Sequence, residues 1–308
     1  MSFIPALDQV QLGTEDPTAW GTPVNSTVKL GLITDCTLEP DLGIETLKDL
    51  RGSIAPGYVA VLNSHRGGAS ISGTVTFEDL PYWFDSLFAQ AVKTGANPYT
   101  YLYSGQLDPK GLTPSVAQQP RRIFTLIKGQ TSKVQHLTGA IVNEMTIKME
   151  SNKPWTFSAK LIGKEVDDGA LQALDAALLA RTLTVAHSNA TKLYVDSFTA
   201  DSIGDTEITT LWFSAELSIK NVAGLVNGMG SLTPKAWTDS RAEATLKIKA
   251  DVNADSEVWL DTILGSTLLQ KKIRLETTSG ANAIYLDFAG TFNVSPKIDT
   301  DQYGVSAL

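Results

Sequence analysis

Cysteine is nearly absent: Cys36 is the only one among 308 residues, so no disulfide can form within the chain. Its neighbours Leu32, Ile33 and Leu38 predict a buried, unreactive thiol. Histidine is scarce as well. His65, His136 and His187 fall in three separate segments without Cys or Glu at ligand spacing, so no zinc site is expected and the three are read as surface or turn residues. Basic charge is outnumbered: a net charge of −8 and a pI near 5.0 lack the electrostatic footprint of a tight nucleic-acid binder. No apolar run approaches the ~18–20 residues of a membrane span. The opening MSFIPALDQVQL has neither the basic start nor the long apolar stretch of a signal peptide, and synthesis in a cytoplasm is expected.

Catalytic patterns are missing too. DVNADSEVW at Asp251 imitates the start of a calcium loop, but Ser256 replaces the turn glycine and Thr262 the bidentate acid, so helix capping is the reading for those acids. NGMGSL at Asn227 has two close glycines but neither a following helix nor a lysine partner, which makes it a turn and no phosphate cradle; HRGGAS at His65 reads as a glycine turn entering a strand. No nucleophile elbow or paired carboxylates occur, and neither an enzyme nor a cofactor is expected.

What is present is β pattern, with 43% hydrophobic and 19% charged residues, the proportions of a folded protein. Thr27–Leu38, Arg122–Lys128, Val134–Leu137, Ile141–Met149 and Trp155–Ile162 read as strands, as does Tyr99–Tyr103 before a Gly/Pro-rich stretch from Ser104 to Pro120. In SISGTVTFEDLPYWFDSLF, Ile71, Val75 and Phe77 alternate, then Tyr82, Trp83, Phe84, Leu87 and Phe88 switch to helical spacing after Pro81. DDGALQALDAALLAR, Asp167–Arg181, has acids first, leucines on one face and arginine last, and predicts a second helix. Strands resume at Leu183–Val185, Lys192–Phe198, Glu207–Ile219, Lys272–Thr277 and Ala283–Val294.

The strand-to-helix unit returns as ATLKIKADVNADSEVWLDTIL, where Leu246, Ile248, Ala250 and Val252 alternate before Val258, Trp259, Ile263 and Leu264. Val252 follows Val75 by 177 residues, Trp259 follows Trp83 by 176, and Gly230 in MGSLTP follows Gly52 in RGSIAP by 178. LTGAIVNEMTI from Leu137 is similar to FAGTFNVSPKI from Phe288. A period this long excludes a solenoid and predicts duplicated β domains, at 1–166 and 182–308, joined by the helix 167–181.

The stretch TAWGTPVNSTVKLGLITDCTLEPDLGIETLKDLRGS, followed by SISGTVTFEDLPYWFDSLF, resembles the tail tube proteins of long-tailed bacteriophages, with the Trp-Gly-Thr-Pro-Val phrase at Trp20–Val24. The resemblance covers the first third of the chain and reaches the rest through the repeat. It implies a mainly β fold, a β-sandwich with a flanking helix in each of two similar domains, whose inner strands join between copies into a barrel. Rings would stack into the tube through which DNA passes without tight binding. Two domains per chain make three chains per pseudo-sixfold ring, in place of the usual six. The implied partners are further copies of the chain, the tape measure, the tail terminator and the distal tail protein, in a virion tail assembled in the host cytoplasm.

The segments Ile44–Ser64 and Val222–Ala236 read as long loops, too apolar at Leu47, Leu50, Ile54, Tyr58, Leu225, Met229 and Leu232 for idle surface. With Arg51 they are the residues expected to make ring-to-ring contact. The alternatives are a tail-end or baseplate hub component of the same fold, and an Ig-like adhesion or carbohydrate-binding protein, which would be marked by a secretion signal and exposed aromatics.

Overall fold

Alternation of apolar and polar residues dominates the chain, and the backbone follows it into antiparallel strands. The computed structural model describes residues 8–48, 58–88, 90–91, 93–96, 99–103, 121–130, 133–168, 173–209, 212–239, 242–251, 270–291, 299–300 and 306–307. In chain order the elements are β1 (Gln9–Thr14), β2 (Val28–Lys29), β3 (Ile33–Lys48), β4 (Tyr58–Thr74), α1 (Leu80–Leu87), β5 (Phe124–Gln130), β6 (Lys133–Glu150), β7 (Thr156–Gly163) and β8 (Glu165–Asp167). There follow β9 (Thr191–Ser197), β10 (Trp212–Lys220), β11 (Ala223–Val226), β12 (Ala236–Asp239), β13 (Glu243–Ala250), β14 (Gln270–Ser279), β15 (Asn282–Thr291), β16 (Asp299–Thr300) and β17 (Ser306–Ala307). The fold is mainly β, as expected, with sheets that do not close on themselves.

β6 is shared between two sheets. Its first part pairs with β5, which continues through β1 to β2, while its second part lies between β7 and β10. The change of sheet occurs at Gly139, whose φ of +63° admits glycine readily and most other residues at a cost. The second sheet therefore runs β3-β4-β7-β6-β10-β13, and its strands come from both halves of the chain. One face carries Ile71, Met145, Ile147, Phe157, Leu161 and Leu217 into a cluster of buried side chains that extends through Leu193, Ile273, Leu275 and Leu286 of the sheet β9-β14-β15.

α1 closes this core. Pro81 is tolerated in the first turn, where its missing N–H has no intrahelical role, and Trp83, Phe84 and Leu87 are buried. Trp83 packs 5.6 Å from Phe157, and Phe84 meets Tyr103 edge-on at 5.4 Å. Asp79 precedes the helix but its carboxylate serves elsewhere, pairing with Arg181.

Several local expectations differ from the structure. Of the helix predicted over 167–181, Asp167 ends β8 and the described residues 173–181 form one turn and otherwise irregular chain. Tertiary hydrogen bonds outcompete the helical ladder there: Asp175 N–H donates to Gln11 Oε1 at 2.9 Å, and Gln11 Nε2 donates to the Asp175 carbonyl at 3.1 Å. Tyr99–Tyr103 contributes a single bridge, Thr94↔Thr100, in place of a strand. HRGGAS lies inside β4; its glycines serve close packing, since a Cβ on Gly67 would fall 2.3 Å from Leu137 Cδ1. His136 is buried in β6, away from surface and turns. The helix expected after β13 falls outside the described residues.

Of the two segments expected to be loops, the first is paired strand at all its described residues, whereas in the second only Ala223–Val226 and Ala236 are paired and 227–235 is loop as expected. β3 and β4 form one hairpin from Ile33↔Gly73 to Lys48↔Tyr58. β10 and β13, continued by β11 and β12, form another: in the body the offsets are 179 and 177, so that Leu217↔Leu246 answers Leu38↔Ala69 and the register shift at Trp212/Ser214 answers the one at Ile33/Asp35, while in the arm Val226↔Ala236 answers Lys48↔Tyr58 at 178. Leu47, Tyr58 and Leu225 therefore lie in paired strands, whereas Met229 and Leu232 lie in the loop 227–235.

Candidate functional site

The second sheet turns its other face outward. Thr34, Ser72, Thr74, Thr146, Thr156 and Ser158 floor a shallow depression there, and a neighbouring one is edged by Lys148, Glu150, Glu216, Lys247 and Lys249. Each central acid is held between two lysines. Glu216 lies 3.3 Å from both Lys148 and Lys247, and Glu144 lies 3.6 Å from Lys160 and 3.5 Å from Lys220. Partial burial would raise the Glu216 carboxyl, but the hydrogen bonds from Lys247 and Lys148 outweigh it and hold the group below its usual range. The face is thus a hydroxyl-rich surface with interleaved charges of both signs, each of these two carboxylates shared between two lysines.

Beyond the body of the sheet, each hairpin extends as an arm: Ile44–Lys48 with Tyr58–Leu62 in the first half, and β11 with β12 in the second. The first arm has no third strand among the described residues, because β7 flanks β4 only from Gly67 to Thr74. Ile44 is 62% exposed, and Leu42, Val61 and Leu62 are exposed as well. A bare two-stranded ribbon carrying apolar residues is the usual sign of a surface that another chain covers.

The second arm is covered already. Ala223 is buried against Ile123 and Ile141, with Trp20, Ile162 and Trp237 packed around them. Arg121, buried beside them, donates from Nε to the Ser86 carbonyl at 2.7 Å, from Nη1 to the Asn221 carbonyl at 3.2 Å, and from Nη2 to the Val142 carbonyl. Its guanidinium carbon lies 5.8 Å from the centre of the Trp237 ring, over its face. Asn221 Nδ2 donates to the Leu87 carbonyl at 2.7 Å, and Ala223 N–H to Asn143 Oδ1 at 2.7 Å. At the far end, His65 N–H of β4 donates to the Leu232 carbonyl at 2.8 Å. The second arm therefore crosses the bend of β6 and the end of β7 and reaches the base of the first arm.

Trp20–Val24 builds the seat from beneath. Trp20 Nε1 donates to the Gly139 carbonyl at 3.1 Å, Gly21 N–H to Glu15 Oε2 at 2.8 Å, and Val24 N–H to Thr125 Oγ1 at 3.1 Å. Burial pushes the Glu15 carboxyl up, opposed by hydrogen bonds from Gly139, Thr125 and Gly21. Burial likewise pushes the Cys36 thiol up to about 11, in line with the inert thiol expected.

Of the residues expected to make ring contacts, Leu47 lies in β3 and Tyr58 in β4, while Leu50, Arg51 and Ile54 fall outside the described residues. Leu225 pairs with Trp237 inside the second arm; Met229 is fully exposed at its tip, and Leu232 is exposed beside His65. The second segment reaches the end of the first through that bond, His65 being the residue after Ser64. Arg121, Trp237 and Glu15 were missed: a buried arginine after a Gly/Pro-rich stretch carries no local signal, whereas Trp20 was legible within its phrase.

An open strand edge and an exposed apolar arm are features of a protein that binds other chains. A family model described as phage tail tube protein matches residues 8–306, nearly the whole chain. The chain belongs to that family and is a structural component of a phage tail, a family that is not one of enzymes. No curated protein matches the sequence closely enough to count as a relative. Among the described residues, no helix is long and apolar enough to cross a membrane.

Proposed function

We propose that the chain polymerises as stacked rings into the tail tube that conducts DNA to the host, with three copies closing each ring and the two halves, 1–166 and 182–308, alternating around it as products of a duplication. The observation that carries this reading is the junction between β6 and β10, paired from Glu150↔Ser214 to Glu144↔Lys220. It joins a strand of the first half to a strand of the second in one sheet. β10 is the counterpart of β3 in the 178-residue correspondence, so the β3 edge, unpaired among the described residues, stands where a second-half strand of the next copy would add.

Other pairings support the duplication, though at other spacings. β1 pairs with β5 as β9 pairs with β14, and the pair Gln130↔Lys133 of β5-β6 answers Ser279↔Asn282 of β14-β15 at 149 residues. A repeated heterologous edge closes a ring after a fixed number of steps, here three chains. In this arrangement the polar face lines the lumen, and its paired Lys and Glu side chains let DNA pass without tight binding. The tips, with Met229 on the second, face adjacent rings, and the tape measure, tail terminator and distal tail protein meet the finished tube.

Electron microscopy of the concentrated protein tests the proposal. Tubes whose end-on averages show six lobes with threefold symmetry are expected. Six chains per ring, with the second halves projecting outside the wall, overturn it. Shortening residues 227–235 is expected to leave folded rings that no longer elongate.

A further inference from the structure

The second arm is seated on the first half of its own chain, whereas the first arm, built in the same register, is bare among the described residues. We infer that the first arm is the ring-closing element: it lies across the second half of the neighbouring copy as the second arm lies across the first half of its own, so the arms form a lateral belt within a ring. This rests on the ring reading above and assigns the stems of the arms to contacts within a ring, leaving only the tips for contacts between rings.

Three observations point to a second copy as the occupant. First, the correspondence holds position by position along the stems: Glu45↔Val61 stands in the place of Ala223↔Asp239, and Leu47↔Val59 in the place of Leu225↔Trp237. Second, the seat under the second arm is made by residues at the start of β5 and at the bend of β6, Ile123 and Ile141, and the hairpin β14-β15 repeats β5-β6. A copy of this chain therefore presents a second hairpin of the same topology, which no arm crosses among the described residues. Third, the second arm ends at the base of the first, where Leu232 accepts from His65 N–H. A belt in which each arm reaches the root of the next is thus already half formed within one chain.

The geometry separates two faces of the first arm. Val61 lies on the face whose counterpart is seated, whereas Ile44 and Leu62, paired directly across the strands, lie on the opposite face. Val61, Ile44 and Leu62 are all exposed, so charged substitutions at these positions leave the core intact.

The test uses the full chain with V59K/V61K on the seated face and I44K/L62K on the other, each compared with wild type by sedimentation and electron microscopy. Thermal melting of dilute monomer confirms that each variant folds. V59K/V61K is expected to melt like wild type yet to remain monomeric at concentrations where wild type forms rings, while I44K/L62K still closes rings. V59K/V61K rings that close normally but fail to stack overturn the inference and return the arm to contact between rings, and unimpaired tubes overturn it as well. Loss of rings in I44K/L62K alone shows the arm seated by the other face and also overturns it. Wild type that forms no rings at any concentration refutes the ring reading itself, a separate result.

Discussion

The Gly139 N–H donates to Glu15 Oε1 at 2.8 Å while its carbonyl accepts from Trp20 Nε1 at 3.1 Å, so one glycine is held from both sides at the bend where β6 leaves one sheet for the other. A Cβ at this position would lie 2.6 Å from Trp20 Nε1, on a backbone with φ of +63°. Gly139→Ala is therefore expected to lower stability by about 1–3 kcal/mol through strain and displacement of the Trp20 ring. Denaturant midpoints measure it; an unchanged midpoint would show that the bend is held by other contacts.

His136 gives the fold a pH dependence. Burial lowers its pKa, against the opposing pull of Asp167, Glu165 and Asp168, and both ring nitrogens are buried without hydrogen-bond partners. A base with a depressed folded pKa binds more protons unfolded, so its contribution is complete above the unfolded value of about 6.5 and declines as pH falls toward the folded one. Thermal midpoints on acidification below about pH 6.5 should fall more steeply in wild type than in His136→Phe. Parallel curves would remove the residue from the pH response.

Arg121 ties α1, β6 and the root of the second arm with a single guanidinium. Arg121→Ala leaves the Ser86, Val142 and Asn221 carbonyls without this donor, and a loss of about 3–5 kcal/mol is expected, the usual cost of removing one partner from a buried charged network. Arg121→Lys should recover only part of it, because an ammonium cannot reproduce the planar fork. Equal stability of all three proteins would contradict this role.

The charge balance of the polar face depends on Glu144 and Glu216, each shared between two lysines. Replacing both by Gln leaves Lys148, Lys160, Lys220 and Lys247 without their carboxylate partners. Assembled E144Q/E216Q tubes are expected to bind DNA in a salt-sensitive way, and wild-type tubes to bind it weakly at physiological ionic strength. Tight, salt-sensitive binding by wild type would show that the lumen is not the weakly binding surface proposed.

Much of the fold was legible because strands announce themselves locally. The alternation of Met145, Ile147 and Met149, and of Phe157, Ala159 and Leu161, reports a sheet with one buried face wherever it occurs. The arms were legible only in part. Leu47 and Tyr58 stand among glycines and prolines that read as loop, and only pairing with a partner strand makes such a segment extended. Asp167–Arg181 fails in the opposite sense, since helical spacing is present but a chain this short is marginal as a helix unless tertiary contacts favour it. Here Gln11 and Asp175 favour another path.

From the sequence alone, then, came the β character, the strand feeding α1, the buried thiol and the spacing of about 178 residues between like segments, because periodicity and composition act over a few neighbouring residues. Tertiary structure alone decided that β10 adds to β6, that Arg121 and Trp237 meet over Ile123 and Ile141, and that one arm is seated while the other is bare. These contacts join residues some 70 to 170 positions apart, as Leu217↔Ile147 and His65 to Leu232 do, and no local pattern encodes which distant edge a strand will choose. That choice follows from which surfaces remain uncovered once the whole chain has folded.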